Sequence, residues 1–186
     1  MPRLRVTDSK GSTLVPIAPG LVAPSRQVAT VEDVNGYDVR LEVVVVSVAD
    51  GRAGRFECDT VSVMRREGGP AVTTEALRGV PVAHLVKQVG AGSVLVVSSL
   101  GEHELVADDR SLSDEMVQRF KQSGPTDDAL WWVGYVYRLA CAIGSPPTKL
   151  VEQWMELPRS TAGRWVAAAR DRGFLGAAEG PGKAGG

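Results

Sequence analysis

The sequence predicts an α+β protein: an N-terminal mixed α/β region built around a β-hairpin, followed by a C-terminal unit of three helices. Three observations carry this. Apolar residues alternate with period two through residues 37–48 and again through 55–66, the signature of half-buried strands. Residues 127–143 are apolar on nearly every side, which fits a helix buried on more than one face. Two short helical patterns then follow, joined by a tight connection at Glu156, Leu157 and Pro158.

Residues 1–30 are rich in Pro, Ser and small side chains. Pro16, Pro19 and Pro24 interrupt regular elements, so extended segments and turns are expected there. In 37–48, Val39, Leu41, Val43 and Val45 alternate with Arg40, Glu42, Val44 and Val46. Asp50-Gly51 supplies a turn, and the return strand places Phe56, Cys58, Val61 and Val63 inward. Gly68-Gly69-Pro70 breaks that strand. Thr73 or Thr74 then caps a short helix over 75–78. After Pro81, the spacing of Val82, Leu85, Val86 and Val89 predicts a helix ended by Gly90-Ala91-Gly92, with a short strand over 94–99.

Residues 101–128 hold eight carboxylates against three basic side chains, a net charge of 3 − 8 = −5. A helix starting after Ser111 or Ser113 should run to Lys121, and Ser123-Gly124-Pro125 should end it. Thr126 followed by Asp127 and Asp128 is a strong helix start, because a side-chain cap and two anions meet the positive end of the helix. These features divide the chain into a mixed α+β domain for oligomerisation or sensing (1–110), an acidic helical linker (111–125), a helical unit (126–176) and a Gly-rich tail (177–186).

Composition narrows the functional classes. At 186 residues, 44% hydrophobic and 23% charged, the chain can build a packed core. With 21 basic and 22 acidic residues, any affinity for nucleic acid must come from a local patch. Arg outnumbers Lys 16 to 5, a bias that looks like a high-GC bacterial genome. Cys58 and Cys141 form neither a disulfide framework nor a metal-ligand spacing, and two reduced core thiols are expected. The first residues lack an apolar signal region, and no stretch approaches the ~20 apolar residues of a membrane span, so a cytoplasmic protein with no membrane partner is expected.

The local patch lies in the last helical pattern. Two short helices, over 148–155 and 159–172, behind a long buried helix make a tri-helical DNA-binding arrangement. On the second, Leu157, Ala162, Trp165 and Ala169 should bury, while Ser160, Gly163, Arg164 and Ala167 face outward. Arg159, Arg164, Arg170 and Arg172 against Asp171 give the segment a charge of 4 − 1 = +3. Guanidinium forks can bind guanine edges, and hydroxyls can bind phosphates or bases. The free backbone N–H groups near Thr148 can hold phosphate. The expected DNA-contacting set is Thr148, Lys149, Arg159, Ser160, Thr161, Gly163, Arg164 and Arg170.

The segment from Pro146 to Leu175 resembles the helix-turn-helix of small regulatory proteins of actinobacteria and their phages. The matching residues are Pro146, Pro147, Thr148, Lys149, Arg159, Ser160, Thr161, Ala162, Trp165, Val166, Ala169, Arg170, Gly173, Phe174 and Leu175, with a similar Gly-rich close at 182–186. The resemblance covers residues 126–186 and implies a helix-turn-helix that reads double-stranded DNA in a transcription regulator. Three positions depart from that pattern. Glu152 stands where a small residue is usual, at the close approach of the two helices, so it must tilt outward or pair with an arginine. Glu156 stands where the turn usually has Gly, costing about 1 kcal/mol if φ is positive. Pro158 replaces a capping Ser or Thr.

Other motifs carry bland readings. Trp154 and Trp165 are core residues. His84 and His103 have no catalytic or metal-binding partners at a recognisable spacing. Gly90-Ala91-Gly92 follows a helix and lacks the third glycine of a phosphate loop. The Asp108-Asp109 pair reads as a solvated turn. No cofactor, metal or catalytic residue is therefore expected, and no small-molecule effector is identified. A DNA-binding regulator is the first reading, acting as a homodimer because one recognition helix covers too few base pairs. The residues 127–143 and the hairpin edges are the candidate interfaces. The alternatives are a protein-interaction module using the same helices, favoured by neutral net charge, Glu152 and Glu156, or a DNA-targeted enzyme such as a recombinase. The last would need more than the unconvincing grouping of Arg3, Arg5 and Ser9.

Overall fold

A computed structural model describes residues 3–8, 11–46, 54–97, 103–105 and 113–176. Two four-stranded antiparallel sheets and a set of helices build an α+β fold. The first sheet joins β1 (Arg3–Asp8), β4 (Arg26–Val34), β5 (Tyr37–Val46) and β6 (Arg55–Arg65) in the order β1-β4-β5-β6. The second joins β2 (Leu14–Ala18), β3 (Leu21–Pro24), β7 (Leu95–Val97) and β8 (His103–Leu105) in that order.

The hairpin is β5 and β6, with Val39 opposite Val63 and Leu41 opposite Val61. Its Asp50-Gly51 turn lies outside the described residues. The inward set expected on β6 changes parity between Cys58 and Val61, and the structure shows why. Val43 pairs with Cys58 and Glu42 with Thr60, so Asp59 is an extra residue in a β-bulge that shifts the strand's parity. Beyond the bulge Val63 is half-buried, but Val61, expected inward, is 43% exposed, because the far part of β6 runs out past the core.

Regular strands also form where the prolines suggested only extended segments and turns. Pro16 lies in β2, an edge strand with a register irregularity beside it, and Pro24 is the last residue of β3. Both places tolerate a missing N–H donor. His103, read as part of an acidic loop, pairs with Val97 across β7 and β8.

Helix α1 (Thr74–Arg78) is capped by the Thr73 hydroxyl, which accepts from the Ala76 amide at 3.2 Å, and it buries no residue. Helix α2 (Val82–Ala91) lays Leu85, Val86, Val89 and Gly90 against the first sheet. The helix ends within Gly90-Ala91-Gly92 as expected, with Gly92 as its C-cap, and Gly90 itself lies in the last turn. A Cβ there would come within 2.7 Å of the Phe56 ring, so glycine sets how closely helix and sheet approach. Beside it, the buried Gln27 of β4 donates to the Ser93 hydroxyl at 2.8 Å, and that hydroxyl donates to the Gly90 carbonyl at 3.0 Å.

Helix α3 (Asp114–Ser123) starts at Ser113, whose hydroxyl accepts from the Met116 amide, and inserts Val117 and Phe120 into the core. Helix α4 (Asp127–Ala142) is capped by Thr126 and buried along most of its circumference. Trp131, Trp132 and Tyr135 form an aromatic cluster on it. Helices α5 (Pro147–Trp154) and α6 (Arg159–Asp171) pack on α4 and on each other. The buried apolar residues of both sheets, α2, α3 and α4–α6 form one connected core. No helix among the described residues is long and apolar enough to cross a membrane.

Candidate functional site

Helix α6 divides into two faces. Ala162, Trp165, Val166 and Ala169 are buried, and the alanines at 0% exposure let its neighbours approach closely. Arg159, Ser160, Gly163, Arg164 and Ala167 are exposed. A Cβ added at Gly163 would meet nothing within 4 Å, so this face is open as well as low in relief. Pro158 caps α6 with no side-chain hydrogen bond, leaving the amides of its first turn without a side-chain acceptor.

The four arginines of this segment divide between two roles. Arg159 and Arg164 form no ion pair with a described residue, and Arg164 donates from Nη2 to Thr161 Oγ1 at 3.2 Å. Of the other two, Arg170 turns inward and Arg172 stays at the surface but is paired. Arg170 lies over the Tyr137 ring at 4.8 Å and donates to its hydroxyl at 2.8 Å. Arg172 donates to Asp127 Oδ1 at 2.7 Å and to the Pro125 carbonyl at 3.1 Å. The open face thus brings together Arg159, Ser160, Gly163 and Arg164, with Thr161 half-buried beside them; Arg170 is placed against α4 instead.

On α5, Pro147 occupies the first turn, Thr148 is half-buried and Lys149 is exposed. Lys149 also borders a shallow cavity of about 190 Å³ with Ser145, Pro146, Leu150 and Gln153, small beside ordinary ligand pockets. Val151 and Met155 anchor the helix in the core. Glu152 is half-buried and forms no ion pair with a described residue.

Helices α4, α5 and α6 all end in one hydrogen-bond pattern, in which two amides beyond the helix return to carbonyls of its last turn. At α4 these are Gly144 to Cys141 and Ser145 to Ala140; at α6, Gly173 to Arg170 and Phe174 to Ala169. At α5 they are Glu156 to Gln153 and Leu157 to Glu152. The left-handed residue is glycine in the first two cases, at φ +63° and +80°, and Glu156 at φ +46° in the third. Glu156 thus adopts the positive φ considered from the sequence. Its carboxylate accepts from Lys121 of α3 at 2.6 Å.

Two supporting residues on α4 escaped the sequence reading. A Cβ at Gly134 would lie 2.7 Å from the Phe174 carbonyl oxygen, and Arg138 donates to that same oxygen at 2.6 Å. Burial pushes the Arg138 guanidinium below its ordinary pKa. A glycine within an otherwise apolar helix was the available signal for such a close approach; Lys121, 35 residues before its partner, left none. Burial raises the thiols of Cys58 and Cys141 above their usual values, Asp59 adding to the effect at Cys58, and no disulfide joins them. Among the described residues, no group of three His, Cys, Asp or Glu could hold a metal ion.

Compared with known proteins, the chain matches no family model, no curated protein and no solved structure.

Proposed function

We propose that this protein is a cytoplasmic transcription regulator that binds double-stranded DNA with α6, α5 and α6 acting as a helix-turn-helix backed by α4. One observation carries the reading: the exposed face of α6 combines Arg159 and Arg164, free of described carboxylates, with the small residues Ser160, Gly163 and Ala167. A helix with low relief and forked cations can enter the major groove, where arginine reads guanine edges bidentately. Lys149 and the first turn of α6 are suited to phosphates. One helix spans only part of an operator, so the protein acts as a dimer on a two-fold repeated site.

The test is selection from a random-sequence duplex pool. Wild-type protein should enrich a defined, two-fold repeated motif, with affinity falling as salt rises. Arg159→Ala/Arg164→Ala, shown by circular dichroism to be folded, should enrich none. Folded wild-type protein that enriches nothing sinks the reading.

A further inference from the structure

We propose that Lys121 and Glu156 form a positioning pair through which α3 sets the angle at which α6 is presented, an inference that rests on the DNA-binding reading of α6. Three successive helices end in the same motif, and two of them fill its left-handed position with glycine, at Gly144 and Gly173. Glycine is the residue that adopts this conformation without a Cβ penalty. The third helix, which leads directly into α6, has Glu156 at φ +46°. What glutamate brings that glycine lacks is a carboxylate, and this one is bonded to Lys121 Nζ at 2.6 Å across 35 residues of chain.

The geometry makes the bond a tether. α3 is rooted in the core by Val117 and Phe120, both at most 3% exposed. Lys121 lies one residue beyond Phe120 in the last turn of α3, where a cation also suits the negative helix end. From there it reaches the turn just before α6. The far end of α6 is held to the same corner of the fold, because Arg172 bonds to the Pro125 carbonyl and to Asp127, in the connection between α3 and α4 and the first turn of α4. Both ends of α6 are thus tied to one short stretch of chain, residues 121–127. Lys121 and Glu156 side chains are 30% and 56% exposed, so the pair is open to screening by salt and contributes direction more than stability.

Glu156→Gly separates the two roles, since it removes the pair and the positive-φ strain together. The melting temperature should hold or rise by about 2 °C. Amide exchange in α3 should nevertheless speed about fivefold, and affinity for a duplex enriched from the random pool should fall about fivefold. Lys121→Met should do the same to exchange and affinity. The reversed pair, Lys121→Glu/Glu156→Lys, should return both to within about twofold of wild type. Wild-type exchange and affinity in Glu156→Gly would overturn the inference, as would failure of the reversed pair to rescue. If the wild-type protein enriches no duplex, the DNA reading fails separately, and exchange in the same variants still decides whether the pair holds α3 to the turn.

Discussion

The outer face of the first sheet and the outer face of α6 are both rich in arginine, yet they present different surfaces. On the sheet, Arg5 bridges to Glu32 at 3.2 Å, and Arg26 bonds to Glu42 and Asp59. Beside it, Arg66 meets Asp33 at 3.2 Å and Asp38 at 3.5 Å. Arg40, flanked across the ladder by Thr30 and Ser62, forms no ion pair with a described residue. On α6, the exposed Arg159 and Arg164 have no described carboxylate within reach, while Arg170 and Arg172 are engaged by Tyr137 and Asp127. Cross-strand neighbours on a pleated surface supply partners at every second position. The outer face of α6 is small or hydroxylated around its cations and supplies none. What a surface offers a partner depends on which charges its own neighbours leave unmatched, not on the number of charges it carries.

The largest effect that would sharpen this contrast lies beneath the sheet. Leu41→Ala, at a fully buried position, should lower unfolding free energy in urea by about 2–5 kcal/mol while leaving the DNA affinity of the folded fraction unchanged. On α6 the reverse holds. Arg159→Ala/Arg164→Ala should weaken DNA binding roughly 30- to 100-fold, about 2–2.7 kcal/mol, and relax specificity at the guanine positions of the enriched motif, with stability unchanged. Gly134→Ala would drive a methyl into the Phe174 carbonyl, and urea titration should show a loss of about 1–3 kcal/mol. The smallest effect belongs to the paired surface: Arg66→Gln should cost about 0.5 kcal/mol and leave DNA affinity alone. Equal losses of affinity from Arg66→Gln and from the α6 pair would erase the distinction.

Much of the fold was legible because local chemistry and tertiary structure agreed. Thr126 caps the helix assigned to it, and of the alternatives left open Thr73 and Ser113 are the caps. The parity change between Cys58 and Val61 was already the trace of the bulge at Asp59. The buried and open faces of α6 followed from helical spacing alone. The strands of residues 1–30 were hidden because prolines punctuate them, and β8 because its acidic neighbourhood reads as solvated loop. β1 and β3 also rely on pairing with strands far along the chain, β4 and β7, which no local pattern encodes, whereas β2 and β8 pair only with the neighbouring β3 and β7. Within the candidate site, spacing could not show that Arg170 turns inward, because its partner Tyr137 lies 33 residues earlier on another helix. Lys121 was invisible for the same reason, while the positive φ of Glu156 was foreseeable from the turn it occupies.

The hydrogen-bonded chain from Gln27 through Ser93 to Gly90 has a consequence for how the strands find their alignment. Gln27 is 1% exposed, and its neighbour Arg26 points to water and pairs with Glu42. If β4 slipped by one residue against β5, every side chain on it would change faces. The arginine would enter an apolar interior without its carboxylate, while the glutamine, now outside, would leave the Ser93 hydroxyl without its donor. A misaligned strand would therefore suffer twice, once for an unsolvated cation and once for a broken polar contact. This adjacent pair of residues acts as a proofreading mark for strand alignment, placed where the two sheets and α2 meet.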